Sequence, residues 1–326
     1  MTRPSAPPEY REFDCQRLRL RPLAERRHDL DLGVLLPLEL RPVEHEALRI
    51  VARRLLEARG RGAATVLMLG GHVPRSGVQR YLLDWFEQGL ITGMAVNGAV
   101  VIHDFELALV GGTTESVARY IRDGQFGMWQ ETGRLNDIVT HAARSGLGLG
   151  EAVGREIALG DYPHKETSLL AGAWQNGVVA TVHVGIGHDI THPHPNCDGA
   201  AYGATSQRDF LRLAALLENL EGGVVMNFGS AVMAPEVYLK ALSMVRNVAA
   251  VEGRSINRFT TLVCDLKPLP ATVRAEPGRE NPDYYFRPWK TMLARTVADG
   301  GEGYYVQGRH DQTIPQLWSA LREDGT

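Results

Sequence analysis

The chain has 326 residues, of which 44% are hydrophobic and 22% charged, and its formal net charge at pH 7 is -3. This composition is typical of a globular protein with a sizeable core, and the slightly negative charge provides no general attraction to nucleic acid. No apolar run reaches the roughly 18 residues that cross a bilayer, and the N-terminal segment lacks the apolar core of a secretory signal. The odd, widely spaced cysteines fit a reducing compartment: Cys15, Cys197 and Cys264. We therefore expect a cytoplasmic protein without membrane or nucleic-acid partners.

The first 42 residues differ in pattern from the rest of the chain. Residues 1–42 contain many Pro and Arg with weak periodicity, which predicts an extended arm lying on the body or on a neighbouring subunit. Beyond the arm, helical and strand periodicities alternate. The first predicted elements are a helix in VEHEALRIVARRLLEAR, a strand in ATVLMLG, a helix in SGVQRYLLDWFEQG, a strand in ITGMAVNG and a helix in VIHDFELALVG.

Residues 113–165 interrupt this alternation with mostly helical sequence, which we interpret as an insertion over the sheet. The alternation resumes with a helix in ETSLLAGAWQNG, a strand in VVATVHVGIG, a helix in QRDFLRLAALLENLEGG, a strand in VVMNFG, a helix in PEVYLKALSMVRN and a strand in FTTLVCDL. Alternating strands and helices predict a doubly wound, mostly parallel sheet of the α/β class with a Rossmann-like fold. Residues 43–326 are predicted to form one domain.

Glycine-rich turns follow four of the predicted strands, at residues 69–77, 96–104, 184–200 and 227–235. In a parallel sheet these turns meet at the carboxyl ends of the strands, where backbone N–H groups and helix N-termini face a ligand. Four turns at one edge favour a nucleotide-sized site. Neither a strict G-x-G-x-x-G nor a P-loop motif follows a strand, so an ordinary dinucleotide fingerprint and an NTPase both lack support.

The order of these segments resembles the deoxyhypusine synthase family over roughly residues 40–322. The segments GGHVPRSGVQRYLLDWFEQGLITGMAVNGAVVIHDFELAL, LLAGAWQNGVVATVHVGIGHDITHP, GGVVMNFGSAVMAPEVYLKALSMVRN and NPDYYFRPWKTM carry the likeness. The resemblance implies an NAD-binding fold. The residues then expected to contact NAD are Gly71, Ser76, Gly77, Asn97, Gly98, Ala99, Asp104, Gly187, Gly229 and Ser230.

The same resemblance places the family's catalytic lysine at Lys290. Departures surround it: the family's active-site histidine is replaced by Met233, and an acidic residue ahead of the lysine is replaced by Tyr284. Aromatic side chains remain while Arg287 is gained, so we expect a substrate other than spermidine. The residues expected to contact substrate here are Tyr284, Arg287 and Trp289, and Arg287 is expected to pair with an anionic group.

The stretch HVGIGHDITHPHPNCDGAAYG, His183 to Gly203, allows two interpretations. Histidines at short spacing, with Cys197 or Asp198, would suit zinc. Prolines at 193 and 195 predict an extended segment in which His192 and His194 project to one side, which suits a substrate equally well. Because the resembling family uses no metal, we favour catalytic roles for His188, Asp189 and His192, and substrate contacts for His194 and Asp198.

Three functional hypotheses follow. The first is an NAD-dependent transferase that oxidises an amine or polyamine-like substrate, holds the imine on Lys290 and passes it to an acceptor, which a protein lysine would match. The second is a metal-dependent hydrolase centred on residues 183–198, and the third is an NAD-binding protein without catalysis. The resemblance also implies a homotetramer with the site near a subunit interface.

Overall fold

A computed structural model describes residues 10–270 and 273–323. In chain order, the strands of the described residues are β1 Leu30–Asp31, β2 Thr65–Leu69, β3 Gly93–Asn97, β4 Gly112–Thr113, β5 Val179–His183, β6 Val224–Phe228, β7 Thr260–Asp265 and β8 Glu302–Gln307. The α-helices are α1 Glu46–Arg61, α2 His72–Arg75, α3 Gln79–Glu87, α4 Gly98–Val110, α5 Val117–Tyr120, α6 Arg134–Arg144, α7 Leu149–Leu159, α8 Leu169–Gln175, α9 Gly199–Leu217, α10 Met233–Val251 and α11 His310–Glu323. A π-helix covers Pro288–Arg295.

Six strands form one parallel sheet in the order β5-β3-β2-β6-β7-β8. With these strands counted in chain order, this is the 3-2-1-4-5-6 arrangement of the doubly wound dinucleotide-binding fold. The predicted fold class is therefore confirmed. The strand order reverses between β2 and β6, and the ligand crevice of this fold opens at that point.

Helices cover both faces of the sheet because its strands are apolar on both faces. Alternate residues of β2 enter separate hydrophobic clusters: Leu67 and Leu69 pack with α1, α3, α4 and α8, whereas Val66 and Met68 pack with α9, α10 and the π-helix. Since successive side chains of a strand point to opposite faces, a continuous apolar run is what a strand buried on both sides requires. This packing orients the carboxyl ends of the six strands toward one edge.

The described part of the arm lies against the domain. Strand β1 pairs with β4, Leu23 is fully buried, and the backbone N–H of Leu36 donates to the Gly77 carbonyl at 2.8 Å. Between residues 113 and 165 the chain forms α5, α6 and α7, and α7 packs against α8 and β5. Among the described residues no helix is both long and apolar enough to span a membrane.

The turns after β2 and β6 touch each other. The Gly70 N–H donates to the Phe228 carbonyl at 2.9 Å, and a Cβ on Gly70 would lie 2.1 Å from the Gly229 carbonyl oxygen. We expect Gly70→Ala to lower the free energy of unfolding by about 1–3 kcal/mol, because the backbone must move to accept the methyl group. Chemical denaturation measures this effect.

The matched control is Gly60→Ala. Gly60 lies within α1 and a Cβ there would meet nothing within 4 Å. This substitution should raise stability by about 0.5–1 kcal/mol, because alanine is the better helix former. Equal effects of the two substitutions would contradict the close contact of the two turns.

Candidate functional site

The crevice between β2 and β6 is bordered by histidines as well as glycines. His310, at the start of α11, is largely buried; its Nε2 would lie 2.5 Å from a Cβ on Gly229, and its Nδ1 has no hydrogen-bond partner. His310 is not among the residues predicted from the sequence, because the strand β8 that precedes it was not predicted either. The turn GRHD, which follows YYVQ in the sequence, could have indicated His310, because the turn after each parallel strand lies at this edge of the sheet.

Helix α2 follows the β2 turn. A Cβ on Gly71 would lie 2.9 Å from the Ala99 Cβ, so these two predicted residues hold α2 against α4. Arg75 Nε is buried without a hydrogen-bond partner, and its Nη1 lies 3.4 Å from His72 Nε2. Ser76 donates its hydroxyl proton to the His72 carbonyl at 2.8 Å. A guanidinium group whose Nε has no hydrogen-bond partner, beside a glycine turn, suits an anion.

Two predicted cofactor residues have structural partners instead. A Cβ on Gly77 would lie 1.9 Å from the Val34 carbonyl oxygen, so this glycine accommodates the arm. Asp104 is fully buried and accepts hydrogen bonds from the Ser168 hydroxyl and from the backbone N–H groups of Leu169 and Leu170. Its two oxygens serve the N-terminus of α8 and do not face the crevice, which corrects its assignment to the cofactor.

A carboxylate from the loop after β5 lies against the turn that follows β3. Asn97 caps α4 by accepting from the Val100 N–H at 3.2 Å. A Cβ on Gly98 would lie 1.9 Å from Asp189 Oδ2, so Asp189 sits directly on the start of α4. Burial raises the pKa of Asp189 to about 6, and the nearby His188 opposes this effect. Asp189 reaches the end of β3 although it follows β5 in the chain.

His192 is held in one tautomer beside Asp189. Its Nδ1 accepts from the N–H groups of Gly187, at 3.0 Å, and Asp189, at 3.2 Å, so the ring proton is on Nε2. Nε2 lies 3.7 Å from Asp189 Oδ2, is buried and makes no hydrogen bond, while Tyr202 packs edge-on at 4.6 Å. Burial lowers the pKa of His192, which keeps the ring neutral. Its N–H proton lies just beyond hydrogen-bonding distance of the carboxylate.

The rest of the loop does not have the extended form predicted for it. Residues 188–197 form successive turns, so His192 and His194 do not project together. His194 is buried and its Nε2 bonds to the Gly127 carbonyl at 2.7 Å. Asp198 caps α9 through the N–H groups of Ala200 and Ala201. We therefore correct His194 and Asp198 from substrate contacts to structural residues, whereas His188 is exposed.

Ser230, predicted to contact NAD, also has structural bonds. Its hydroxyl oxygen accepts from the Ala234 N–H, and its backbone exchanges two hydrogen bonds with the Asn227 side chain. Its neighbour Gly229 has a φ of 68°, which favours glycine. The side chain and backbone of Ser230 are therefore engaged within the protein, which corrects its assignment to the cofactor.

Lys290 lies in the first turn of the π-helix, within a second polar group that also contains Tyr284, Tyr285 and Glu276. Its Nζ is buried 3.3 Å from the centroid of the Tyr284 ring and 5.8 Å from that of Tyr285. The same atom lies 3.6 Å from Glu276 Oε1, a carboxylate that the sequence analysis missed. Aromatic faces and a carboxylate are the groups that bind ammonium ions. Tyr284 thus lies against the lysine, and its contact with substrate stays a prediction.

The other two predicted substrate residues are already paired. Arg287 Nε lies 3.1 Å from Glu236 Oε1, so its anionic partner belongs to the protein. Trp289 is buried, and its indole N–H donates to the carbonyls of Val273 and Ala275. These contacts correct both assignments: Trp289 fixes the 273–275 segment, and Arg287 joins the π-helix to α10.

The first polar group, Asp189 and His192, and the second, around Lys290, lie on opposite sides of the crevice. Asp189 is at the end of β3, whereas Lys290 is in a helix packed against β7 and β8. Three strand spacings of about 4.8 Å separate β3 from β7, or roughly 14 Å. Direct proton transfer between Lys290 and the loop histidines therefore does not fit one chain. Within residues 10–270 and 273–323, no three His, Cys, Asp or Glu side chains gather in a metal-binding arrangement.

The raised pKa of Asp189 predicts a pH-dependent stability. The folded state binds this proton more tightly than the unfolded chain, so the favourable contribution is present below about pH 4 and is lost as the pH rises to about 6. Asp189→Asn should therefore match the wild type in acid and exceed its free energy of unfolding by on the order of 1–3 kcal/mol at pH 7.5. Denaturation at both pH values measures this; an equal difference at both would contradict it.

No protein-family model and no curated protein matches the chain. Several solved structures, by contrast, resemble this chain in fold. A conserved LOR/SDH-type protein from Methanococcus maripaludis S2 is 14% identical, with 89% of this chain and 74% of that chain covered and a TM-score of 0.51. An AgrE variant bound to L-arginine is 12% identical over 88% of this chain, with a TM-score of 0.50. This chain spans 34% of AgrE.

Two further structures have lower scores. AgrE with ornithine and NAD+ gives 13% identity, 87% and 34% coverage and a TM-score of 0.48. A protein assigned as a deoxyhypusine synthase, from Entamoeba histolytica, gives 9% identity, 85% and 87% coverage and a TM-score of 0.40. The shared fold is supported by the two structures with TM-scores of 0.51 and 0.50, and at 14% and 12% identity they show the fold alone.

Proposed function

We propose that this chain is an NAD-dependent enzyme that oxidises the carbon of an amine and holds the resulting imine on Lys290. The observation that carries the proposal is the position of Asp189. In the doubly wound dinucleotide fold, an acidic side chain at the end of the second strand binds the ribose 2′-hydroxyl of NAD. Asp189 contacts Gly98, directly after β3, which is the second strand of this sheet.

The remaining groups of the crevice fit the other parts of the dinucleotide. The glycines of the β2 and β6 turns touch each other, and Arg75, whose Nε has no hydrogen-bond partner, lies on the helix after the β2 turn. Phosphates suit that position. The carboxylate of Asp189 would repel the 2′-phosphate of NADP, so we expect the protein to bind NAD more tightly than NADP. We therefore propose that Asp189 binds the cofactor, in place of the catalytic role expected from the sequence.

Lys290 lies on the opposite half, where the same fold places the reactive ring. Bound NAD would accept a hydride from the amine carbon. The amine nitrogen of Lys290 then adds to the carbon of the C=N bond and passes its protons to the original amine, which leaves, so that the carbon is carried as a lysine-linked imine. The Tyr284 ring, which contacts Nζ, would hold the incoming ammonium group, and Glu276, which also pairs with Arg295, would contribute negative charge. The order of motifs shared with the deoxyhypusine synthase family supports this chemistry.

The first test is cofactor binding. Calorimetry with the wild type should show binding of NAD and weaker binding of NADP, and Asp189→Asn should reduce this difference. Absence of NAD and NADH binding at millimolar concentration would remove the cofactor from the proposal. Binding of NADP with equal affinity would remove the role of Asp189.

The second test is capture of the imine. The wild-type protein, incubated with NAD and a panel of primary amines and then treated with borohydride, should gain the mass of the substrate carbon skeleton on the peptide containing Lys290. Tight NAD binding without any trapped or oxidised amine would favour the alternative of a nucleotide-binding protein without catalysis.

A further inference from the structure

A buried chain of polar groups connects the arm to the crevice. Arg26, in the arm, forms two hydrogen bonds with Glu106 of α4, at 2.8 and 2.7 Å. Both side chains are 1% exposed. A paired and fully buried guanidinium group requires a carboxylate that carries its negative charge, since an unpaired buried charge is strongly unfavourable. Glu106 is therefore an acceptor for all its neighbours.

Two threonines complete the hydrogen bonds of Glu106. Thr113 donates its hydroxyl proton to Oε2 at 2.7 Å, and Thr132 donates to Oε1 at 2.7 Å. Because the proton of Thr113 is directed to Glu106, the Thr113 oxygen is left as an acceptor. The position of this hydroxyl proton determines which nitrogen carries the proton in the next hydrogen-bonded side chain.

That next group is His103. Its Nδ1 lies 2.8 Å from Thr113 Oγ1 and must donate to it, so the ring proton is on Nδ1 and Nε2 has the free lone pair. Burial lowers the pKa of His103 to about 4; Glu106 opposes this, and the positive charges of Arg75, Arg26 and His72 add to it. The imidazole is accordingly neutral at neutral pH, and Nε2 can only accept.

The acceptor edge of the ring lies at the crevice. His103 is four residues after Ala99 in α4, so the two side chains share the helix face that meets the β2 turn. A Cβ on Gly71 would lie 3.8 Å from His103 Cδ2, the atom bonded to Nε2. His103 is only half-buried, and among the described contacts no protein donor reaches Nε2. A ligand along the β2 turn would meet a neutral acceptor there.

We infer that His103 Nε2 accepts a hydrogen bond from a ribose hydroxyl of the bound dinucleotide, and that Arg26 is a positioning residue which acts through Glu106 and Thr113. The inference rests on the proposed binding of NAD. Phosphate oxygens have no proton to donate, and the ribose hydroxyls are the donors of a dinucleotide that lie next to its phosphates, whereas the adenine amino group and the nicotinamide amide lie at its ends. The arm thereby helps to determine cofactor affinity without touching the cofactor.

The test combines calorimetry with NMR of protein labelled with ¹⁵N-histidine. Without ligand, the wild-type His103 should show the Nδ1–H tautomer, and saturating NAD should shift its Nε2 resonance. His103→Phe, which keeps the ring shape without an acceptor, should weaken NAD binding by about three- to tenfold. His103→Gln, which keeps an acceptor near the Nε2 position, should restore most of the affinity.

Two further variants separate positioning from simple loss of structure. Thr113→Val keeps the side-chain shape, and it should abolish the single tautomer of His103 and weaken NAD binding with native circular dichroism. His141→Phe, at an exposed position of α6, is the matched control and should bind NAD as the wild type does.

The outcomes distinguish the inference from the function it rests on. Failure of the wild type to bind NAD overturns both. Measurable NAD binding that is unchanged in His103→Phe, or an Nε2–H tautomer in the free wild type, overturns the role of His103 and leaves the proposed function standing.

Discussion

Replacing Lys290 with alanine is expected to lower amine turnover by about 10²–10⁴-fold, because the only amine group in the second polar group is removed. NAD affinity should change little, since Lys290 contacts Tyr284 and Glu276 rather than the glycine turns. Steady-state kinetics and calorimetry on the same preparation measure the two effects. Borohydride should then trap substrate only on the unsubstituted protein.

Lys267→Ala is the matched control for this variant. Lys267 lies in the same part of the chain, 2.7 Å from Asp283 Oδ1 and 5.7 Å from the Phe286 ring, so it has similar partners but is more exposed. It should keep most of the wild-type turnover. Full turnover of the physiological amine by Lys290→Ala would disprove the lysine-linked imine.

Arg26→Ala is expected to lower the free energy of unfolding by about 3–5 kcal/mol, because it leaves the carboxylate of Glu106 buried without its charge partner. This loss of stability should exceed the loss caused by replacing any exposed arginine of the arm with alanine. Urea denaturation measures it, and the unfolding should remain a single transition if the arm and the domain unfold together.

Arg27→Ala provides the comparison, since the adjacent side chain is exposed and should change stability by no more than about 0.5 kcal/mol. The double variant Arg26→Met with Glu106→Leu removes both charges, and it should recover much of the loss seen for Arg26→Ala. Equal losses for Arg26→Ala and Arg27→Ala would contradict the buried ion pair.

The fold was largely predictable because apolar periodicity is a local signal. Five of the six strands of the sheet lie in segments that the sequence analysis identified, and glycine follows four of them. The sixth, β8, was missed because only Gly303 and Val306 of its sequence EGYYVQ are buried, at the edge of the sheet, and because it follows a π-helix. An edge strand has the weaker apolar pattern.

The site was less predictable, since a polar side chain has the same letter whether it binds a ligand or caps a helix. Asp104 and Asp189 both follow strand ends, yet one caps α8 and the other faces Gly98. Asp189 lies at the end of β3 only because β5 is the neighbour of β3 in the sheet. The importance of Glu106 was not apparent either, because its partner is 80 residues away in the arm.

The position of β2 also has a consequence for how the protein is made. Thr65 pairs with Val224, so the strand at the centre of the sheet waits for a partner synthesised much later. Closing so long a loop is slow, and until then one hydrogen-bonding edge of β2 stays open on the ribosome-bound chain. An open apolar edge can pair with other chains. A truncated product that ends before β6 would thus aggregate rather than fold, and production of this protein depends on protecting that edge during translation.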